Sequence, residues 1–355
     1  METSSKFSKA EIVFTAINCV IAKLFLIFPS VFPAISASSA VILALFTVLS
    51  GFMFVYLTSF LYNNKKTDII RICKNAKVKT ALSLLFIFTF IINQSIFVRS
   101  VAESLKISLL PGSPLMYITI IFMTGVFICA YTGLKSIIRV HSLIVPFTIF
   151  MAFILYIYST KGFDFYNIFP ILGNGPDKFL YSISLSGYFS DFIIISFLLP
   201  FTKEKTNYCK IVKPSFIVSS VMLVITVAVY ILTVPYNTKV SFFIPVYRIA
   251  QYIDYGSFIS RLESIFTISW ILCFFAYSAL QLYIMSMIAG RIFLSINNRP
   301  AIAFFAIIIT IFSLLPSNTA QLVKISKLFE IPRLTVFIIL PIVILLSAYR
   351  KEVKK

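Results

Sequence analysis

Ile17-Asn18-Cys19-Val20-Ile21-Ala22-Lys23-Leu24-Phe25-Leu26 and Ser184-Leu185-Ser186-Gly187-Tyr188-Phe189-Ser190-Asp191-Phe192-Ile193 are apolar stretches, each broken by one charge. Lys23 is the sole charge between Glu11 and Lys65, and Asp191 the sole charge between Lys178 and Lys203. A charge near the centre of a bilayer costs roughly 2.5–3.5 kcal/mol on insertion scales, so an ionisable residue in mid-span points to a function. The reading therefore turns on whether these stretches cross a membrane.

Composition answers that. The chain has 355 residues, 59% hydrophobic and 12% charged, against about 45–50% apolar and about 25% charged in a soluble domain. Apolar runs of about 20 residues recur along it, each long enough to cross roughly 30 Å of hydrocarbon as a helix. A β-barrel would show shorter, alternating segments. The fold class expected is an all-α polytopic membrane protein with about ten transmembrane helices. The spans read as 11–32, 36–62, 80–104, 115–133, 140–160, 180–201, 212–235, 262–290, 300–316 and 332–350. Turn-rich linkers separate them, such as Leu110-Pro111-Gly112-Ser113-Pro114 and Asn297-Asn298-Arg299-Pro300. The stretch 237–260 is too polar to span and reads as an extracytoplasmic interfacial segment.

The formal net charge of +19 does not indicate nucleic acid, because the basic residues gather in loops. Roughly twice as many Lys and Arg fall on the side of the termini as on the other, which orients both termini to the cytoplasm. The first ten residues are polar and a full-length span follows, so no cleavable leader is expected. Cys19, Cys73, Cys129, Cys209 and Cys273 are odd in number and lack CxxC spacing, so no disulfide framework is expected. The lone histidine, His141, offers no zinc cluster and reads as structural or solvated. Walker A, GxSxG, HExxH and dinucleotide signatures are missing. The chain reads as a non-enzyme without a cofactor, and ATP-driven pumping by it alone is excluded.

Depth then relates the two charges. Lys23 lies roughly 18 Å into span 1 from its cytoplasmic start, and Asp191 roughly 16 Å into span 6 from its outer start, at 1.5 Å per residue. Both are near the midplane, on spans of opposite direction. That is the arrangement of two inverted five-helix repeats, 1–160 and 180–350, in which the first helix of each repeat is discontinuous and unwound backbone binds substrate. Ser184, Ser186, Gly187 and Ser190 favour a break in helix 6; in helix 1, Asn18 and Cys19 precede Lys23 without a glycine. Two readings of Lys23 and Asp191 stay open. They line a polar ligand site, pairing with each other or serving an amino-acid zwitterion, or they make structural interhelical bonds. Snorkelling suits Lys23 poorly at this depth. Asn18 in span 1, Asn93 and Gln94 in span 3, Ser184, Ser186 and Gly187 in span 6, and Ser278 and Gln281 in span 8 complete the polar candidates, although such groups often only join helices. Tyr277 adjoins Ser278. Arg99 and Glu103, and Arg261 and Glu263, read as ion pairs at span ends.

Several segments resemble the permease-like B subunit of endospore germinant receptors, within the amino acid–polyamine–organocation superfamily. They are Phe243-Ile244-Pro245-Val246, Tyr252-Ile253, Phe258, Arg261-Leu262-Glu263 and the single Trp270; Leu109 to Pro114; Gly133, Arg139 and Pro146; Asn167 to Pro170; and Pro200-Phe201. Their order and spacing together are specific. The resemblance implies a LeuT-type arrangement with discontinuous helices 1 and 6. It also implies a multi-pass protein of the spore inner membrane, its termini on the core side, partnered by A and C subunits and membrane lipid and by no nucleic acid. Its task would be sensing a small nutrient germinant, commonly an amino acid, in the superfamily's substrate pocket. The alternatives are a secondary active amino-acid transporter and a structural subunit without a ligand site. One departure is local: Ala22-Lys23-Leu24 stands where many members carry a glycine-containing group, which adds Ala22 and Leu24 to the candidate site. Another is that the family's acidic residue in span 6 falls about half a turn after Asp191.

Both termini should be cytoplasmic. An N-terminal tag on the chain in intact heterologous cells should be protected from external protease, and cleavage from outside would overturn the orientation.

Overall fold

The computed structural model describes residues 6–26, 39–62, 67–73, 75–169, 187–203, 207–234, 262–292 and 298–353. Ser184, Ser186, Arg261 and the expected interfacial segment 237–260 lie outside them. The helices are α1 (Lys9–Leu26), α2 (Ala40–Tyr62), α3 (Ala76–Ser108), α4 (Leu115–Tyr131), α5 (Leu134–Ser159), α6 (Ile194–Leu198), α7 (Tyr208–Thr233), α8 (Leu262–Ile292), α9 (Asn298–Leu314), α10 (Thr319–Leu334) and α11 (Leu340–Val353). Short 3-10 turns, Gly187–Ile193 and Leu199–Phe201, flank α6.

Each helix starts where its sequence allows. Polar residues cap α3, α7 and α10: the side chains of Asn75, Asn207 and Asn318 accept from the amides of Lys77, Lys210 and Gln321, satisfying first-turn donors that have no helical partner. Ser8 and Glu11 form a reciprocal capping box at α1, with Ser8 N donating to Glu11 Oε2 at 2.7 Å. Interior Ser and Thr hydroxyls turn back onto carbonyls one turn earlier, as Thr47, Thr58 and Thr226 do. They thereby satisfy themselves inside an apolar helix.

Among the described residues six helices are long and apolar enough to cross a membrane, and three apolar helices, Leu115–Tyr131, Gly187–Phe201 and Arg299–Leu314, are shorter. With α1 they correspond to the ten expected spans. The last differs in extent. Pro332 reads as a helix start, yet the helix begins at Thr319 and runs through Pro332 and a π-helical turn, Thr335–Ile339, into α11. α1 is unbroken through Asn18 and Lys23 to Leu26, where its description stops. Span 6 is irregular: Gly187–Ile193 is the tighter 3-10 form before it widens into α6.

α1, α2, α7 and the Gly187–Phe201 stretch pack as one group, and α3, α4, α8 and α9 as another. α5 lies against both α1 and α8, while α10 meets α3 and α11 meets α2. Many pairings recur five helices on: α3 with α4 and α8 with α9; α3 with α9 and α8 with α4; α5 with α8 and α10 with α3. Residues 277–286 of α8 are buried on every face, as expected of a helix wrapped by others. By contrast α2 turns Leu49, Phe52, Met53, Tyr56 and Phe60 outward, a surface that suits lipid and not water.

The irregular sixth segment is wedged in by ring packing. Phe197 meets Phe86 edge-on at 5.6 Å between centroids, and Phe337 of the π turn meets Phe90 at 5.1 Å. On the other side Phe189 lies so close to α2 that a Cβ on Gly51 would come within 2.2 Å of the ring. Gly51→Ala should therefore destabilise the bundle by about 1–3 kcal/mol through overpacking, read as a lower Tm of the purified protein. Gly112→Ala, with nothing within 4 Å of its Cβ, should leave Tm unchanged.

Candidate functional site

Lys23 sits in the last turn of α1 and is only 5% exposed, and Asp191 in the 3-10 stretch is 0% exposed. Snorkelling is thereby ruled out for Lys23. Its Nζ lies 2.7 Å from Asp191 Oδ2, so the two side chains are in direct contact. Tyr277 of α8 donates its hydroxyl to the same Oδ2 at 2.7 Å. Asp191 Oδ1 is buried and has no hydrogen-bond partner. Removing two charges from water costs several kcal/mol per ion, recovered only with close geometry and added hydrogen bonds. The pair has both on one oxygen and neither on the other.

Neighbouring contacts hold this geometry. Asn18 Nδ2 donates to the Cys273 carbonyl at 3.0 Å, fastening α1 to α8 one turn before Tyr277. Phe97 of α3 packs edge-on against Phe274 and Tyr277, at 5.4 and 4.8 Å between centroids. Ala22 and Leu24, both 0% exposed, seat Lys23 in the core. Two helices thus meet at the Asp191 carboxyl, and α3 buttresses one of them through Phe97.

A fourth element arrives at Gly187. A Cβ there would lie 1.9 Å from Leu334 Cδ2 and 3.4 Å from Arg333 Nη2, so only glycine lets α10 approach this closely. Arg333 pairs with Glu330 one turn earlier, their side chains 14% and 16% exposed. Two cations and two anions, the Lys23–Asp191 pair and the partly buried Arg333–Glu330 pair, thus stand on α1, the Gly187–Ile193 turn and the α10 helix that packs on it.

Around them are polar groups without partners. Both ends of the Gln94 amide, Asn18 Oδ1, Ser190 Oγ and Ser278 Oγ are buried and unbonded. Gln281 forms no hydrogen bond of good geometry, although it is near enough to the Tyr277 hydroxyl to influence it. Asn93 is half-buried, with its Nδ2 enclosed and unbonded. Buried polar atoms are normally satisfied, and each exception asks for a cause. Of the candidates read from sequence, Asn18, Lys23, Gly187 and Asp191 are brought into one network of contacts. Gln94, Ser278 and Gln281 lie within a turn of its members, and Ser184 and Ser186 are outside the described residues.

Sequence reasoning missed the Glu330–Arg333 pair, because a last span of 332–350 begins between the two and leaves Glu330 in the preceding loop. The available signal was Asn318, a capping residue, ahead of a run of good helix formers. It also missed a second buried carboxyl, Asp68, 0% exposed in the turn after α2. Asp68 Oδ2 lies 2.8 Å from Arg291 Nη1 at the end of α8 and 3.4 Å from Arg71 Nε. At the same end, Phe7 N donates to the Phe201 carbonyl at 2.9 Å and Lys203 N to the Phe7 carbonyl at 3.2 Å. Arg99 and Glu103 pair as expected, at 2.9 Å, with Arg99 Nη1 reaching the Ser313 carbonyl at 3.4 Å. His141 is fully buried with Nδ1 2.8 Å from the Ile137 carbonyl, a structural position. All five cysteines are free, and no group of metal-ligating side chains occurs among the described residues.

A family model described as "Spore germination protein" matches residues 6–322. The chain is 24% identical over 313 residues to Spore germination protein A2 of Bacillus subtilis (strain 168), covering 82% of this chain and 84% of that one. It is 26% identical over 282 residues to Spore germination protein YndE of the same organism, covering 77% and 76%. Among solved structures it is similar in fold to Mhp1, a nucleobase-cation-symport-1 family transporter in a closed conformation with bromovinylhydantoin bound. That similarity has a TM-score of 0.58 at 11% identity, over 92% of this chain and 76% of that one. The shared architecture is the LeuT-like transporter fold expected from sequence.

Tyr277→Phe deletes one of two groups held by Asp191 Oδ2. A buried hydrogen bond to a charged group contributes about 1.5–3 kcal/mol, so the variant should unfold at a lower temperature in detergent or nanodiscs. An unchanged Tm would show that the hydroxyl does not support the carboxyl.

Proposed function

The chain belongs to the spore germination protein family, and we propose that it is the membrane subunit of a germinant receptor that senses a small nutrient, an amino acid, at the Lys23–Asp191 site. The observation that carries this is Asp191 Oδ1, a carboxylate oxygen wholly enclosed by protein and unclaimed by any donor. A ligand ammonium would supply the missing donor, and the ligand carboxylate would face the Lys23 ammonium. Asn18, Gln94, Ser278 and Gln281, with their unused hydrogen-bonding capacity, would surround its polar and side-chain groups.

On this reading the chain comprises two inverted repeats, 1–160 and 180–350, a division supported by the helix pairings that recur five helices apart. The protein resides in the spore inner membrane with both termini on the core side, and partners A and C subunits receive its signal. A ligand shifts a conformational equilibrium only by its differential affinity for the two states. Exchange of the Lys23–Asp191 pair for two ligand contacts supplies that difference, because the pair joins α1 to the sixth segment. A second reading, secondary active amino-acid transport, draws support from the fold shared with Mhp1.

Lys23→Met spores should need at least about tenfold more germinant for half-maximal response, the equivalent of losing roughly 1.4 kcal/mol, at near-normal protein level. Removing one partner of a buried pair can cost about 3–5 kcal/mol whereas removing both is far milder, so a Lys23→Met/Asp191→Asn double variant controls for folding. A stable double variant that germinates normally would assign the pair a structural role. Concentrative uptake of amino acid by the purified chain in liposomes would decide for transport.

A further inference from the structure

We propose that Arg333 reads the carboxylate of the ligand and that Glu330 occupies its place while the site is empty. This rests on the reading of the Lys23–Asp191 pair as the ligand site. The motive is the position of α10. An ion pair three residues apart on a helix normally lies on a solvated face, but Arg333 and Glu330 are 14% and 16% exposed. Arg333 points at Gly187, where a side chain would collide with Leu334 and crowd the guanidinium. The missing side chain at Gly187 leaves the guanidinium next to the backbone that carries Asp191.

The chemistry of the fork fits a carboxylate. Arginine presents several N–H donors in a plane that matches two carboxylate oxygens, which a lysine cannot do. Arg333 Nη2 is engaged by Glu330 while Nε is buried without an acceptor. Half of the fork is thus unused. Glu330 carries the same functional group as an amino-acid ligand and acts as its tethered competitor.

Charge balance selects the ligand class. Lys23, Asp191, Glu330 and Arg333 sum to zero, and a zwitterion enters without changing that sum. Its carboxylate would lie between Lys23 and Arg333, and its ammonium would take Asp191 Oδ1. A simple anion or cation would leave an uncompensated charge in a low-dielectric interior, at high cost. The release of Glu330 falls on a helix with Pro332 inside it and the π turn Thr335–Ile339 immediately after it. π turns are concentrated at functional sites, so the exchange acts on a part of α10 already off regular geometry.

The test uses the full chain in lipid nanodiscs, with thermal stabilisation as the binding signal. The probes are the L-amino acids, each beside its own α-carboxamide. The wild type should be stabilised by one or more acids, with the matching carboxamides at least about tenfold weaker. Glu330→Gln should lower the half-saturating concentration of the acid by about tenfold, since the competitor is gone. Arg333→Lys should raise it by about the same factor, since the fork is lost while the charge stays. A Glu330→Gln/Arg333→Gln double variant, neutral at both positions, should fold and bind the acid no better than the carboxamide. Equal binding of acid and carboxamide by the wild type would overturn the carboxylate assignment. So would unchanged affinity in both single variants while Lys23→Met abolishes binding, an outcome that leaves the Lys23–Asp191 site standing. Stabilisation by neither probe class, in wild type or Glu330→Gln, would remove the ligand site itself and this inference with it.

Discussion

Everything at the centre of this bundle depends on keeping one ammonium and one carboxyl together where no water reaches them. Lys23 and Asp191 are 5% and 0% exposed and 2.7 Å apart. Either alone would be a buried unpaired charge, the costliest group a protein interior holds. The surrounding structure follows from that constraint. Tyr277 must bring its hydroxyl inward, Asn18 must hold α1 against α8, and the sixth segment must adopt a 3-10 geometry that aims Asp191 at α1. A hydrophobic pair of like volume would often be as stable, so stability alone does not account for the two charges.

The same constraint explains the company the pair keeps. Arg333 and Glu330 add one charge of each sign, and the whole group stays neutral. Gly187 has no side chain because α10 occupies the space one would need. The unbonded amide of Gln94 and hydroxyl of Ser278 are the groups a core built only for stability would replace with apolar ones. Their presence sets a polar interior within a shell whose outward faces, such as that of α2, are largely apolar.

Much of this was legible in the chain. The succession of apolar helices and the candidacy of Lys23 and Asp191 follow from apolar runs and solitary charges, because in hydrocarbon every backbone group must be satisfied within its own helix. Asn18 was readable for the same reason, as a polar residue with no business in an apolar helix. What escaped was whatever depends on three-dimensional approach. Glu330 and Arg333 lie beside Pro332, and proline's usual meaning as a helix boundary concealed a helix that tolerates it. Asp68 sits among basic residues in a loop and looks solvated until Arg291, more than two hundred positions away, is seen to close over it. The interrupted geometry of helix 6 was announced by Gly187 and Ser190, whereas α1 is α-helical through Lys23 and offers a side-chain charge in place of exposed amides.

The short backbone bridge between Phe7 and residues 201–203 has a mechanical meaning. It ties the start of α1 to the end of the sixth segment, so that the two behave as arms of a pair of dividers joined at one end. Lys23 lies sixteen residues up its arm from Phe7, roughly 24 Å from the joint at 1.5 Å per residue. Opening the arms by about 10° would carry the ammonium roughly 4 Å at that radius, farther than the length of its bond to Asp191. A small angle at the joint is thereby converted into the complete making or breaking of one charged contact.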